Sequence, residues 1–535
     1  METNFEVLAQ AEACYAALAK FRRDRERNKR YNYGDQWCDT IEVDGRRMTE
    51  EQYIISQGSV PLKNNLIRRL VRNVIGVYSS QSSEPQCIAR DPAEKPLAEL
   101  MTTLLRCNGE LNRLPALYMR TLEEFLIGGL IAHRKWYGLR GGRSDCWTDY
   151  VPPSNLFVDA NMRDFRSWDC SCVGELHDVT IDDVCRQFAR SAADCRLLRA
   201  IYADASAPAS VARAWQDFGY SSSSAISFSS PRTPGLCRVI EVWRRESRTR
   251  TDASGRWQME QVWRYYWLSP LGHVLAQGDS PYAHGSHPYV IKAYPMIDGE
   301  IHAFVSDVID QQRYTNRLIT MYDWMARASA KGVLMMPDDC VPPAGSAAAM
   351  ARAWSQLNGV MVYKPSASGE TPRQVNAQAG NLGISELLNM QLRFFEDISG
   401  VSSALGGRLN NSVMSAELYG QQTQQATTAL LDVLGTFGEF VRDAAYVDAS
   451  LIRQYYSRRK CELIAGPVPQ MPDTLAGPEL DLRMAPACTS AASRQAEREM
   501  LMKIWQSGQI SLDDMLRAGA FPFADALRIN INNNK

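Results

Sequence analysis

The chain carries almost no net charge. Its 535 residues hold 59 Lys and Arg against 60 Asp and Glu, a formal charge of -1. No overall basic field exists to draw it onto nucleic acid, so any DNA contact must be local or non-adhesive. Long apolar runs are missing as well. The longest, Phe125 to Ala132, is interrupted by two glycines and is far too short to span a bilayer. The opening METNFEVLAQ lacks the basic-then-apolar pattern of a secretory leader. These absences predict a soluble chain made in a cytoplasm.

Catalytic signatures are absent too. There is no G-x4-G-K-[ST] phosphate loop, which argues against a packaging ATPase. There is no G-x-S-x-G elbow and no H-E-x-x-H pair. The 6 histidines include one close pair, His284-x2-His287, in a Gly/Pro turn that reads as a surface loop, with a metal site the weaker alternative. Asp182/Asp183 and Asp513/Asp514 open expected helices, where acids favour the positive end of the dipole. The 13 cysteines are odd in number and lack paired spacing; Cys170-x-Cys172 is too tight for the usual zinc step. They read as small buried hydrophobes in a reducing compartment. The sequence therefore predicts no enzyme and no cofactor.

What is present is 45% hydrophobic content, ample for real cores, and a clear change of pattern along the chain. Phe5 to Phe21 spaces Leu8, Tyr15, Leu18 and Phe21 like one helix face. The basic run Arg22 to Arg30 follows; it is either a solvated helix face or an electrostatic contact with DNA or an acidic neighbour. RYNYGDQW breaks the helix at Gly34. Lys63 to Tyr78 carries a strong apolar stripe, with Arg68, Arg69 and Arg72 opposite. Pro96 to Leu139 continues helical and ends as a strand. Val151 to Val173 mixes turns and β-formers, Cys185 to Asp217 is helical, and Ser221 to Pro234 is a low-complexity linker. Arg238 to Val290 alternates branched and aromatic residues as an antiparallel meander. The expectation up to residue 300 is an α+β domain.

A punctuated helical block then runs from Glu300 to Tyr456. Ile301 to Ala330 sets apolar residues at helical spacing and would be roughly 45 Å long. Lys331 to Gly380 is a proline-punctuated α/β insert: strand-like VLMMP and VMVYKP flank an alanine-rich helix, Ala347 to Leu357. Asn381 to Val401 is helical and ends at the loop SALGGRLNNSVM, Ser403 to Met414. Ser415 to Ser457 would extend about 65 Å if straight, with glycines that permit a bend. Cys461 to Pro486 reads as an extended return to the first domain. Ser493 to Ile531 reads as two short helices, the second capped by Ser511 with Asp514.

Taken in order, GDQW (Gly34 to Trp37), NLIRRLVRNVIG, Pro152 to Glu175, VSDVIDQQRYTNRL, EDISGVSSALGG and SRQAEREMLMKIWQSGQISLDDML resemble segments of the P22-like and related portal proteins of tailed bacteriophages. That resemblance implies an α+β portal fold with a wing (residues 1–300), a first stem helix (301–330), a clip (331–380) and a second stem helix (381–402). It further implies a tunnel loop (403–414), a long helix returning to the wing (415–490) and a short crown (491–535). It implies a ring, typically of twelve subunits, at one capsid vertex of the virion, assembled in the host cytoplasm. Its expected partners are further copies of itself, the major capsid protein, the terminase large subunit, head–tail adaptor proteins and the dsDNA that passes through it. Arg408, Asn410 and Asn411 are the candidate channel residues of the tunnel loop. Arg313, Arg317 and Arg327, on the polar side of the first stem helix, face either DNA or a neighbouring subunit. The competing reading is a head–tail connector or scaffold ring without a DNA channel.

Overall fold

The computed structural model describes residues 2–80, 83–159, 161–164, 166–203, 227–251, 257–297, 299–331, 333–341, 347–355, 362–367, 369–375, 383–401, 430–465, 480–486, 491–508, 510 and 515. The fold is α+β. The chain divides into two compact units, one of residues 1–32, 67–307 and 400–535, the other of residues 33–66 and 308–399.

The larger unit is layered. A five-stranded antiparallel sheet orders its strands Val274–Asp279, Trp257–Leu268, Cys237–Thr251, Cys172–Val179 and Leu156–Val158. A three-stranded sheet pairs Leu130–Arg140 with both Tyr289–Ala293 and Arg143–Val151. The meander expected from alternation is present, but Tyr289–Ala293 leaves it for the second sheet. One apolar cluster, with Leu130, Ala132, Val173, Trp243, Trp263 and Ile291, takes residues from both sheets. A second joins the helix Phe5–Ala17 to the five-stranded sheet through Val7, Ala11, Tyr15, Phe157, Ile240 and Leu268. A third joins the helix Lys95–Leu111 to the helix Leu431–Tyr455. Leu431–Tyr455 buries Phe437, Phe440, Val441, Ala444, Ala445, Asp448, Leu451 and Ile452, the one-sided spacing of an amphipathic helix. It runs unbroken through Gly435 and Gly438.

The stretch from Cys461 to Pro486, expected to be extended, opens inside the helix Arg458–Ala465 and ends as the strand Leu480–Pro486, paired antiparallel with Ser83–Ala89. The expected single amino-terminal helix is two, Phe5–Ala17 and Ala19–Asn32, and the second carries the basic run. Within that run Arg25 is a bidentate partner of Glu124, and Asn28 donates to the carbonyl of Ile127 at 2.9 Å and to Ser306 Oγ at 2.9 Å. The acidic neighbour of Arg25 therefore lies in the same chain.

The smaller unit is built on the helix Ile309–Lys331, which starts later than apolar spacing suggested because Phe304–Val308 is a 3-10 turn. It packs on the helix Ile384–Ser399. Val333–Met335 pairs with Arg373–Val375, and the helix Ala347–Ser355 lies between them in sequence. The expected second strand, VMVYKP, is corrected: Val362 to Pro365 form no ladder, and RQV takes the place. A two-residue turn at Asp44 and Gly45, with φ of 50° and 73°, closes the hairpin Thr40–Val43 with Arg46–Thr49. The helix Glu50–Ser56 follows directly under a capping box of Thr49 and Gln52.

Candidate functional site

The helix Ile309–Lys331 is held by hydrogen bonds to an extended segment. Gln312 Nε2 donates to the carbonyl of Asn64 at 2.6 Å, while its Oε1 accepts from the amide of Leu66 at 2.8 Å. Asn316 Oδ1 accepts from the amide of Asn64 at 3.0 Å, and its Nδ2 donates to Gln36 Oε1 at 2.8 Å. Thr320 Oγ1 accepts from the amide of Leu62 at 3.2 Å. Positions 312, 316 and 320 recur every four residues, so one stripe of polar side chains satisfies backbone groups that could not pair with a sheet. This gives GDQW a physical role. Gln36 and Trp37 are buried, and Trp37 Nε1 donates to the carbonyl of Leu62 at 3.1 Å.

Two of the candidate arginines lie on the adjacent stripe. Arg317 Nη2 reaches Glu50 Oε1 at 2.6 Å, Arg313 hydrogen-bonds the same oxygen, and Arg313 Nε lies 3.3 Å from Asp39 Oδ2. Glu50 is buried, Arg313 mostly so, and Arg317 about half exposed at 54%. Both arginines thus have partners in their own chain. The side chain of Arg327 lies outside the described residues, as do Arg408, Asn410 and Asn411. Beside Arg317 opens an apolar groove of about 560 Å³, walled by Trp37, Ile41, Tyr53, Ile54, Met321 and Trp324. Its wall is mostly apolar. The sequence reading passed over the hairpin and cap that build this wall, although Asp44-Gly45 and Thr49-x-x-Gln52 both announce it.

A cluster without a clear signal in the sequence lies in the larger unit, where the side chains of Glu175, His177 and Glu241 converge on neighbouring strands. His177 Nε2 is 2.9 Å from Glu241 Oε2. The other Glu241 oxygen accepts from Arg134 Nη2 at 3.2 Å and Trp243 Nε1 at 2.8 Å. Burial alone would raise the Glu241 carboxyl, but the Arg134 charge and the bonds from His177 and Trp243 outweigh it and hold the group at about 2. Burial raises Glu175 against the pull of His177. Arg134 and Trp243 already occupy one Glu241 oxygen, so the cluster works as a charge network bracing the sheet. Its only signal in sequence is the alternation Glu175-x-His177 along one strand face. His284 and His287 play the same local part. His284 Nδ1 accepts from the amide of Ser286, and His287, driven down to about 3 by burial and by His284, accepts from the amide of Tyr289.

The sequence profile described as phage P22-like portal protein matches residues 8–466, and the chain belongs to that family. It is a phage portal protein, a component of the portal vertex of the virion. A search of curated proteins finds none that matches the sequence.

Proposed function

We propose that twelve copies of this chain close into a ring at one capsid vertex, and that dsDNA is packaged and ejected through its channel. The observation that carries the reading is the family match across residues 8–466, which includes parts of both compact units. Exposed apolar side chains support it. Tyr314, Met321, Tyr322 and Trp324 on one long helix, and Met390, Phe394 and Ile398 on the other, are each more than two-fifths exposed in the isolated chain. A ring offers such surfaces a neighbour. Near-neutral charge suits a conduit, since strong phosphate pairing would hold DNA that must slide. In this reading the ring docks the terminase large subunit during packaging and head–tail adaptors afterwards, sits among copies of the major capsid protein, and performs no chemistry of its own. The insert at 331–380 is the docking end and the loop at 403–414 the channel constriction.

Negative-stain imaging with native mass measurement of the purified chain tests the ring: about twelve subunits around a central hole are expected. A stable monomer under every condition overturns the reading, and a closed disc without a hole favours a connector or scaffold ring. The channel assignment is tested by Arg408→Ala, Asn410→Ala and Asn411→Ala together, which should leave the ring intact and lower the DNA retained per particle. Full packaging would make the loop a mere connector.

A further inference from the structure

We propose that Cys185 and Cys195 form a thiol-modification site, a dithiol that takes a small-molecule disulfide such as oxidised glutathione and closes to an intrachain disulfide. Cys185 lies on the helix Ile181–Phe188, which Thr180 caps by accepting from the amide of Asp183 at 3.2 Å. Cys195 lies in the first turns of the next helix, residues 192–203. Asp194 pins the start of that helix, its Oδ2 accepting from the amides of Arg190 and Ser191 at 3.0 Å each. The Cys185 thiol donates to the carbonyl oxygen of Cys195 at 3.8 Å, which sets the two cysteines side by side. Arg199, one turn beyond Cys195, is anchored by Asp182 at 2.7 Å, and its positive charge favours the thiolate of both cysteines.

Position and exposure set the pair apart. Cys14, Cys38, Cys87, Cys146, Cys170, Cys172, Cys340 and Cys461 are buried, whereas Cys107, Cys185, Cys195 and Cys237 are partly exposed, and of these four Cys185 and Cys195 are the two joined by a hydrogen bond. Their environments also differ in sign. Interactions with Cys185 and Arg199 hold the Cys195 thiol below its ordinary value, while burial and the neighbouring Cys195 push Cys185 up. The lower thiol is the attacking group and the higher one the resolving group.

The step balances. The Cys195 thiolate attacks one sulfur of oxidised glutathione, whose S–S bond breaks, and the first glutathione leaves as a thiolate that takes up a proton. Cys185 then gives its proton to solvent and attacks the Cys195 sulfur of the mixed disulfide, releasing the second glutathione. Two protein thiols are oxidised and one glutathione disulfide is reduced to two thiols.

The full-length chain, treated anaerobically with oxidised glutathione, quenched in acid, alkylated and digested with trypsin, tests this. Arg186, Arg190 and Arg196 separate the two cysteines into different peptides, so a peptide ending at Arg186 joined to Ser191–Arg196 is the expected product. It should disappear on reduction. The same cross-link should form at an unchanged rate in Cys237→Ser, which removes the nearest competing thiol. Arg199→Met should slow its formation several-fold near neutral pH. Glutathione persisting on Cys195, a Cys185–Cys237 bond, both thiols still free, or an Arg199→Met rate equal to that of the unaltered chain would each overturn the proposal.

Discussion

Lys135 and Asp448, 313 residues apart, form an ion pair of 2.6 Å with essentially no exposure of either side chain. Thr148 Oγ1 accepts a second bond from the ammonium at 2.8 Å. The pair ties the strand Leu130–Arg140 to the helix Leu431–Tyr455, and Lys292 on the strand Tyr289–Ala293 repeats the pattern with Glu439 at 3.0 Å. Burial outranks the attraction of Lys135 and lifts the Asp448 carboxyl above its ordinary range. Removing one partner leaves a buried charge with no counterion. Asp448→Asn should therefore cost about 3–5 kcal/mol, and Lys135→Met with Asp448→Leu should recover most of it. Hydrogen exchange of residues 130–140 and 431–455 reads the difference; equal protection in the single and double variants would contradict it.

The Glu241 network predicts a sensitivity to acid. Its folded value of about 2 lies below the ordinary glutamate range, so its contribution is present at neutral pH and lost as pH falls. The gap corresponds to about 3 kcal/mol, given up progressively between about pH 5 and pH 2. Glu241→Gln should be destabilised by about that amount at pH 7, and the deficit should narrow as the buffer is made acidic. Thermal melting across pH checks both statements.

Glu175 carries the opposite sign. Its folded value is raised, so its stability is present below the unfolded value and lost as pH rises through the folded one. Glu175→Gln should melt higher than the unaltered chain at pH 8, with the advantage vanishing near pH 4. A lower melting point at pH 8 would show that Glu175 is held in its charged form.

In the smaller unit, Glu50 is the shared anchor of Arg313 and Arg317. Glu50→Ala should cost about 3 kcal/mol locally by leaving mostly buried Arg313 short of a counterion. The loss should appear as faster exchange in the hairpin Thr40–Thr49 and the helix Ile309–Lys331. Arg317→Ala should cost under about 1 kcal/mol, because its side chain is half in water.

Gly174 sits mid-strand, where an added Cβ would lie 2.1 Å from the carbonyl oxygen of Glu241 and 2.3 Å from Phe157 Cζ. Backbone cannot give way there without breaking the Cys172–Val179 ladder. Gly174→Ala should abolish soluble expression or lower the melting point more than any substitution above.

The sequence by itself determined the long apolar-striped helices and most meander strands, because a one-sided apolar stripe has a single way to be buried, whereas the short helices Glu50–Ser56 and Arg458–Ala465 escaped it. Ile67, Leu70, Val71 and Val74 lie on the helix Leu66–Ser80 where their spacing predicts, and the run from Arg238 folds into the meander its alternation announces. The α+β class followed, and so did the family, from short segments in a fixed order. Tertiary structure alone decided which polar residues meet. Glu50 with Arg317, Lys135 with Asp448, and His177 with Glu241 are separated by 267, 313 and 64 residues. Charge pairing at such distances leaves no period in the sequence: it depends on which strands and helices become neighbours, and burial then fixes the strength of each pair.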